Sequence, residues 1–256
     1  MLKLSIIITF VLFLTACPIE DTSNGDKGLG ENLNLSGQVY TQTFMTEIDP
    51  FANIITYNEY QGNLALSDEL GGTGNIAQGL FNYASGKPNN LQPVQDGLSL
   101  LTDMYNDVKF SSNNVNAAVI QFTSADNSGN NYMLLNEKTG DVSLLSLIMG
   151  GSIIIENLQY VYVDNDITIN AKGRDFDYDI VIKMDLKTSD ISLNLKKGWN
   201  PLFSVITANI DLSNIDFLNI DPEDFDISDI KIGGNLEMSV PLELPSLNWT
   251  LFTSGE

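Results

Sequence analysis

From Leu33 onward, apolar residues of the chain tend to fall at every second position. Leu35, Gly37, Val39 and Thr41 alternate with polar neighbours, as a half-buried strand requires. Further segments of strand character cover 55–66, 76–84, 116–123, 131–136, 142–148, 152–163, 166–172, 178–185 and 190–197. Turn-forming clusters separate them: Gly71-Gly72-Thr73-Gly74, Asn127-Ser128-Gly129, Lys138-Thr139-Gly140, Asp164-Asn165 and Lys172-Gly173. Short strands at this spacing predict a mainly β domain, an antiparallel β-sandwich or open barrel.

One short helix is predicted, from Pro93 to about Asn106. There Val94, Leu98, Leu101, Met104 and Tyr105 share a stripe at helical spacing. A proline suits the first turn, while Gly97 weakens the helix by about 1 kcal/mol relative to alanine. Segments 152–163 and 166–172 read as a hairpin. The apolar parity changes between Ile155 and Leu158, which predicts a bulge near Glu156-Asn157. Leu236, Met238, Val240, Leu242 and Leu244 alternate, and Pro241 and Pro245 predict an edge position for that strand. Leu247 to Phe252 is the last expected strand.

Residues 209–233 follow a five-residue period, with Ile210, Ile215, Ile220, Phe225 and Ile230 at the same phase. The segment resembles pentapeptide-repeat solenoids, although five copies are few for a unit that needs stacked neighbours. It also carries Asp211, Asp216, Asp221, Glu223, Asp224, Asp226 and Asp229. Calcium takes six to eight oxygen ligands, but no Asp-x-Asp-x-Asp-Gly loop is present and acids five apart on an extended chain do not converge. A solenoid coil, a calcium site and a solvated acidic edge that resists aggregation are the three readings, the last being the simplest.

The chain opens with Lys3, an apolar run from Ile6 to Leu14, and the small residues Thr15 and Ala16, which together describe a secretory signal. The run falls short of the roughly 20 apolar residues that span a bilayer. Leu14-Thr15-Ala16-Cys17 resembles the lipobox of bacterial lipoproteins at all four positions. That resemblance implies lipid transfer to the Cys17 sulfur, cleavage before it and acylation of the new amino group. Cys17 is the chain's one cysteine, so no internal disulfide competes for it. A single acyl chain holds a protein only marginally, whereas two or three give a stable tether. The expected organisation is a signal peptide over 1–16, a lipidated cysteine and flexible linker over 17–32, and a β-rich domain over 33–256.

Gly37-Gln-Val-Tyr40, Gly74 to Leu80, Gly86 to Leu91 and Leu195-Lys-Lys-Gly-Trp-Asn200 resemble segments of uncharacterised β-rich lipoproteins of host-associated bacteria. The likeness bears on location and implies no chemistry. The expected location is the cell envelope, at the outer membrane rather than the inner one. Glu20 and Asp21 resemble a surface-export signal, and both the outer surface and the periplasmic face stay open.

Charge narrows the choice of partner. Removal of 1–16 takes away Lys3 and leaves 11 basic against 33 acidic side chains, a net charge of −22. Nucleic acid is excluded, since phosphate binding needs a basic patch. Candidate partners are an envelope protein, a glycan or a cation, besides the membrane reached through Cys17. The chain has no histidine, which removes Ser-His-Asp devices and the usual zinc sites.

No catalytic residue or cofactor is expected, and the metal question is open. Carboxylate pairs can hydrolyse glycosides, but Asp175, Asp177 and Asp179 read as an acidic stripe on one strand face. Tyr160, Tyr162 and Trp199 are the candidate ligand-contact aromatics, although core packing accounts for them as well. The expected function is a membrane-tethered binding or structural module, not an enzyme. The alternatives are a carboxylate-based secreted hydrolase and a carrier of an apolar ligand in a barrel cavity.

Overall fold

The computed structural model describes residues 28–44, 51–68, 70–125, 131–179, 183–211 and 231–254. Strands β1 (Leu33–Phe44), β2 (Ile55–Glu59), β3 (Leu64–Leu66), β4 (Thr73–Ala77), β5 (Leu80–Ser85) and β6 (Gln92–Pro93) lead into the helical turns α1 (Val94–Gly97) and α2 (Ser99–Met104). Next come β7 (Asn106–Phe110), β8 (Asn116–Val119), β9 (Phe122–Ala125), β10 (Asn131–Thr139), α3 (Leu144–Ile148) and β11 (Ser152–Val163). The chain continues through β12 (Ile167–Lys172), β13 (Asp175–Asp179), β14 (Lys183–Thr188), β15 (Ile191–Leu195), β16 (Gly198–Asp211), β17 (Lys231–Ser239) and β18 (Asn248–Ser254). The fold is mainly β, as the alternation predicts.

The main sheet runs β13-β14-β17-β16-β11-β10-β18-β1-β5-β4-β3, and β15-β12-β7 form a second sheet. Two pairs, β1 with β18 and β14 with β17, are parallel. Three central strands change partners along their length. β1 pairs with β5 over Leu33–Gln38 and with β2 over Tyr40–Phe44. β10 pairs with β9 over Asn131–Leu134 and with β11 over Asn136–Thr139. β11 pairs with β10 over Ile155–Leu158 and with β8 over Val161–Val163. The sheet therefore divides into two leaves. One stacks on the three-stranded sheet as a sandwich. The other curls through β5, β4 and β3 until Ser67 and Thr123 exchange backbone hydrogen bonds of 2.9 and 3.2 Å, an open barrel.

Each leaf has its own core. Ile153, Ile155, Val161 and Val163 of β11 meet Leu202 and Ile206 of β16, Ile169 and Leu193 of the small sheet, and the α1–α2 stripe. On the opposite face, Leu158, Tyr160 and Tyr162 meet an aromatic group that includes Phe81, Tyr83, Phe122, Trp199 and Trp249. The Phe81–Trp249 rings lie 4.3 Å apart and the Tyr83–Phe122 rings 4.8 Å, pairs that add about 0.5–1.5 kcal/mol each beyond their buried area.

Two cores explain what the sequence misled on. The β11–β16 register is unbroken from Ser152↔Asn209 to Val163↔Gly198, so there is no bulge at Glu156-Asn157. Ile153, Ile155, Val161 and Val163 keep one face of β11 in the first core, and even-numbered residues become buried from Leu158 because the second core begins there. The irregularity lies instead at Asn170–Lys172, where β12 meets β7. Nor do β11 and β12 form a hairpin: β12 crosses to the second sheet and pairs with β15 and β7.

Segment 142–148 is not a strand. Ser143 Oγ accepts from the Ser146 amide at 3.1 Å and caps α3, as N-cap serines do. Lys138 and Thr139 continue β10 rather than turning. β17 stops at Ser239, before Pro241, and lies between β14 and β16 rather than at an edge; Leu242 and Leu244 beyond it are exposed. In place of one helix over 93–106 there are α1 and α2, divided at Leu98, and all five residues of the stripe are buried. The acidic periodic segment begins and ends as a ladder, with Asn209↔Gly233, Ile210↔Ile232 and Asp211↔Lys231 paired. Residues 212–230, and with them the solenoid, calcium and solvated-edge readings, lie outside the described residues, as does Cys17.

Gly97 is demanded by close approach. A Cβ there would lie 2.4 Å from the Ala117 carbonyl oxygen of β8. Gly97→Ala, a change that favours an isolated helix, should therefore lower stability by about 1–3 kcal/mol through overpacking. Chemical denaturation checks this, and a variant as stable as the wild type contradicts it.

Candidate functional site

The aromatic candidates are interior. Tyr160 is 3% exposed, and Tyr162 and Trp199 are 0% exposed. β11 and β16 place Tyr162 opposite Trp199, with their rings edge to face at 5.4 Å. Their polar tips are satisfied, as buried tyrosine and tryptophan require. Trp199 Nε1 donates to the Gly86 carbonyl at 3.1 Å, and the Tyr162 hydroxyl donates to Glu31 Oε2 at 2.6 Å. Burial pushes the Tyr160 hydroxyl up to about 12; burial and the Glu31 carboxylate raise that of Tyr162 as well. Both hydroxyls stay protonated at neutral pH. In the described structure these rings hold the core together and offer no open face for stacking.

The same pair anchors the chain's entry into the domain. The Leu29 amide donates to the Trp199 carbonyl at 2.7 Å, and the Trp199 amide donates to the Gly30 carbonyl at 2.8 Å. Gly198 has φ +101°, and a Cβ on it would lie 2.4 Å from the Gly30 oxygen, so only glycine fits beneath this segment. Lys197 Nζ lies 3.0 Å from Glu31, and Asn200 braces the turn by bonding the Lys196 amide and carbonyl. The Lys196-Lys197-Gly198-Trp199-Asn200 stretch is thus a dock for residues 28–31.

A second constellation escapes sequence reasoning. Glu137 of β10 is 1% exposed, and among the described residues it is the buried acid. Its Oε1 accepts from Gln42 Nε2 of β1 at 3.1 Å and from the Tyr57 hydroxyl of β2 at 3.1 Å. Its Oε2 accepts from Tyr57 at 3.2 Å and from Thr139 Oγ1 at 3.3 Å. The Tyr57 oxygen in turn accepts from the Thr139 amide at 2.6 Å. The Thr250 hydroxyl of β18 favours the ionised carboxyl but makes no hydrogen bond of ordinary geometry. Across the β10–β11 ladder stands Asn157, buried, whose Nδ2 donates to the Asn136 carbonyl at 3.3 Å. Burial pushes the Glu137 carboxyl above the usual carboxylate range, partly offset by its hydroxyl and amide donors. Burial, then the Glu137 charge, pushes Tyr57 up to about 12. In sequence Glu137 sits beside Lys138-Thr139-Gly140 and reads as part of a turn. Following the strand alternation on to Thr139 is the signal that finds it.

A third feature is a groove of about 530 Å³ on the outer face of β1, β5 and β4. Asn34, Ser36, Thr73, Asn75 and Asn82 line it with amides and hydroxyls and no charge. The ladder sets Ser36, Asn82 and Asn75 in one row across three strands. Such a surface can exchange hydrogen bonds with a neutral polar ligand. Of the stripe Asp175, Asp177 and Asp179, the described side chain is that of Asp175, which is exposed and 3.7 Å from Lys187. Among the described residues no three or more acids, histidines or cysteines are grouped to hold a metal. Comparison of the chain with known protein families, characterised proteins and solved structures finds no match.

Because Glu137 has a raised pKa in the fold, its contribution to stability is full below the unfolded value and is lost as pH rises through the folded one. At low ionic strength, the unfolding free energy of the wild type minus that of Glu137→Gln should therefore increase as pH falls from 8 toward about 4.5. Urea denaturation of both proteins across that range measures it; a difference that is flat or falls with acidification refutes the assignment.

Proposed function

We propose that this chain is a membrane-anchored extracytoplasmic lipoprotein whose β domain serves as a binding or structural module rather than an enzyme. The observation that carries this reading is Leu14-Thr15-Ala16-Cys17 behind the apolar run. The dock at Trp199 supports it: residues 28–31 are clamped to the domain, so a pull on the chain is borne by a ladder, an ion pair and a buried aromatic pair. From Cys17 to Gly28 the chain reaches at most about 40 Å, which keeps the domain near the bilayer. The uncharged groove on β1, β5 and β4 is a described surface open to a partner, a neutral glycan among them. The hydrolase reading has less support, because the hydrogen bonds of buried Glu137 come from amides and hydroxyls and not from a second acid. The apolar-carrier reading has less support too, since the described groove is lined largely by amides and hydroxyls.

Expression of the wild type beside Cys17→Ala tests the reading. The wild type should partition into detergent micelles and carry the mass of two or three acyl chains, while Cys17→Ala should carry none and be released from membranes by salt washing. Membrane retention of Cys17→Ala, or an unmodified mass for the wild type, refutes it.

A further inference from the structure

We propose that the junction around Glu137 is a binding site for a small monovalent metal cation of the sodium class. Four strands bring oxygen donors to one face here. In an antiparallel ladder, residues opposite each other and residues two apart share a face. Glu137 faces Asn157 across β10–β11. Leu135 faces Thr250 across β10–β18, so Thr250 stands diagonal to Glu137. Tyr40 faces Thr250 across β1–β18, which puts Gln42, two residues on, beside the same carboxyl, as its 3.1 Å bond confirms.

Two carbonyl oxygens in this group, Gln42 Oε1 and Asn157 Oδ1, are buried and have no hydrogen-bond partner, and the Thr250 hydroxyl lies against the carboxyl. Asn157 is 2% exposed and Thr250 0%. Buried polar atoms are nearly always partnered, so two such acceptors beside one buried carboxyl point to a missing positive group. The described ion pairs of the domain do not include Glu137, and its adjacent Lys138 is exposed.

Charge balance selects the class of occupant. The donor set holds one carboxylate, with all other oxygens neutral, so a monovalent ion leaves the buried site neutral. A divalent ion would leave a net positive charge in a low-dielectric interior. A proton on Glu137 supplies one donor to one acceptor and leaves the other unmet. A water molecule can bridge them but leaves the carboxylate charge uncompensated. A bound cation engages the carboxylate and the neutral oxygens together, and so ties β1, β10, β11 and β18 at the point where the two leaves of the sheet part.

The test is the thermal midpoint of the purified protein in non-ionic detergent, at constant ionic strength set by sodium chloride or by choline chloride. Sodium should raise the midpoint saturably by a few degrees, as a ligand of the folded state does, and choline, too large to enter, should not. Glu137→Gln should unfold cooperatively with the same midpoint in both salts. Equal midpoints for the wild type in the two salts overturn the proposal in favour of a protonated Glu137 with bridging water. A sodium effect that survives in Glu137→Gln overturns it in favour of cation binding elsewhere on this acidic chain.

Discussion

The fold depends on one constraint: from Tyr160 to Val163, β11 is covered on both faces. Its odd positions belong to the sandwich core and its even positions to the aromatic core of the open barrel. A strand in this position has no solvent side on which to place polar residues. Its tyrosines must therefore find partners inside or at the rim. Tyr162 meets this demand by reaching Glu31, and Trp199 beside it reaches Gly86. The docking of residues 28–31 is thus a consequence of core packing, and a tether attached there would load the largely buried β11–β16 pair.

Electrostatics plays a secondary part in holding the fold. The described ion pairs, Lys172–Asp190, Lys187–Asp175, Lys196–Asp166 and Lys197–Glu31, are between exposed side chains, and such pairs contribute about 0–1 kcal/mol each. With 33 acidic against 12 basic residues in the whole chain, long-range repulsion opposes compaction, and apolar burial in the two cores offsets it. Glu137 differs from the other described acids because it is removed from water where strands of both leaves meet. Its neighbours are hydroxyls and amides, and no described cation answers it.

Much of the architecture was legible in the alternation of residues. Strands β1, β10, β11, β12 and β15 fall where the pattern puts them, whereas 55–66, 76–84, 116–123 and 178–185 each take in all or parts of two strands, and β7 and most of β16 lie outside the expected segments. The stripe Val94, Leu98, Leu101, Met104 and Tyr105 is buried although Gly97 and Leu98 break the helix in two. What misled was the assumption that a strand has one core. The change at Ile155 to Leu158 records the start of a second covering layer, and a sequence pattern reports which positions are covered without saying by what. The same gap hid the crossover from β11 to β12: a short link after Val163 looks like a hairpin whether the next strand returns to the same sheet or enters another. At 142–148 a single serine cap decided between strand and helix. Tyr160, Tyr162 and Trp199 were visible as a group, but only the second core gives them a role. Glu137 was hidden, because its partners Gln42, Tyr57 and Thr250 are scattered over more than 200 positions of the chain.

Native-state hydrogen exchange resolved by residue tests the two-core account most directly. If β11 is shared by both cores, the amides of Tyr160–Val163 should exchange only through global unfolding and rank among the slowest in the protein. Those of the edge strand β13 should exchange through local opening, orders of magnitude faster. Exchange of Tyr160–Val163 at the rate of β13 would mean that one face of β11 is open to water, and the two-core architecture would be wrong.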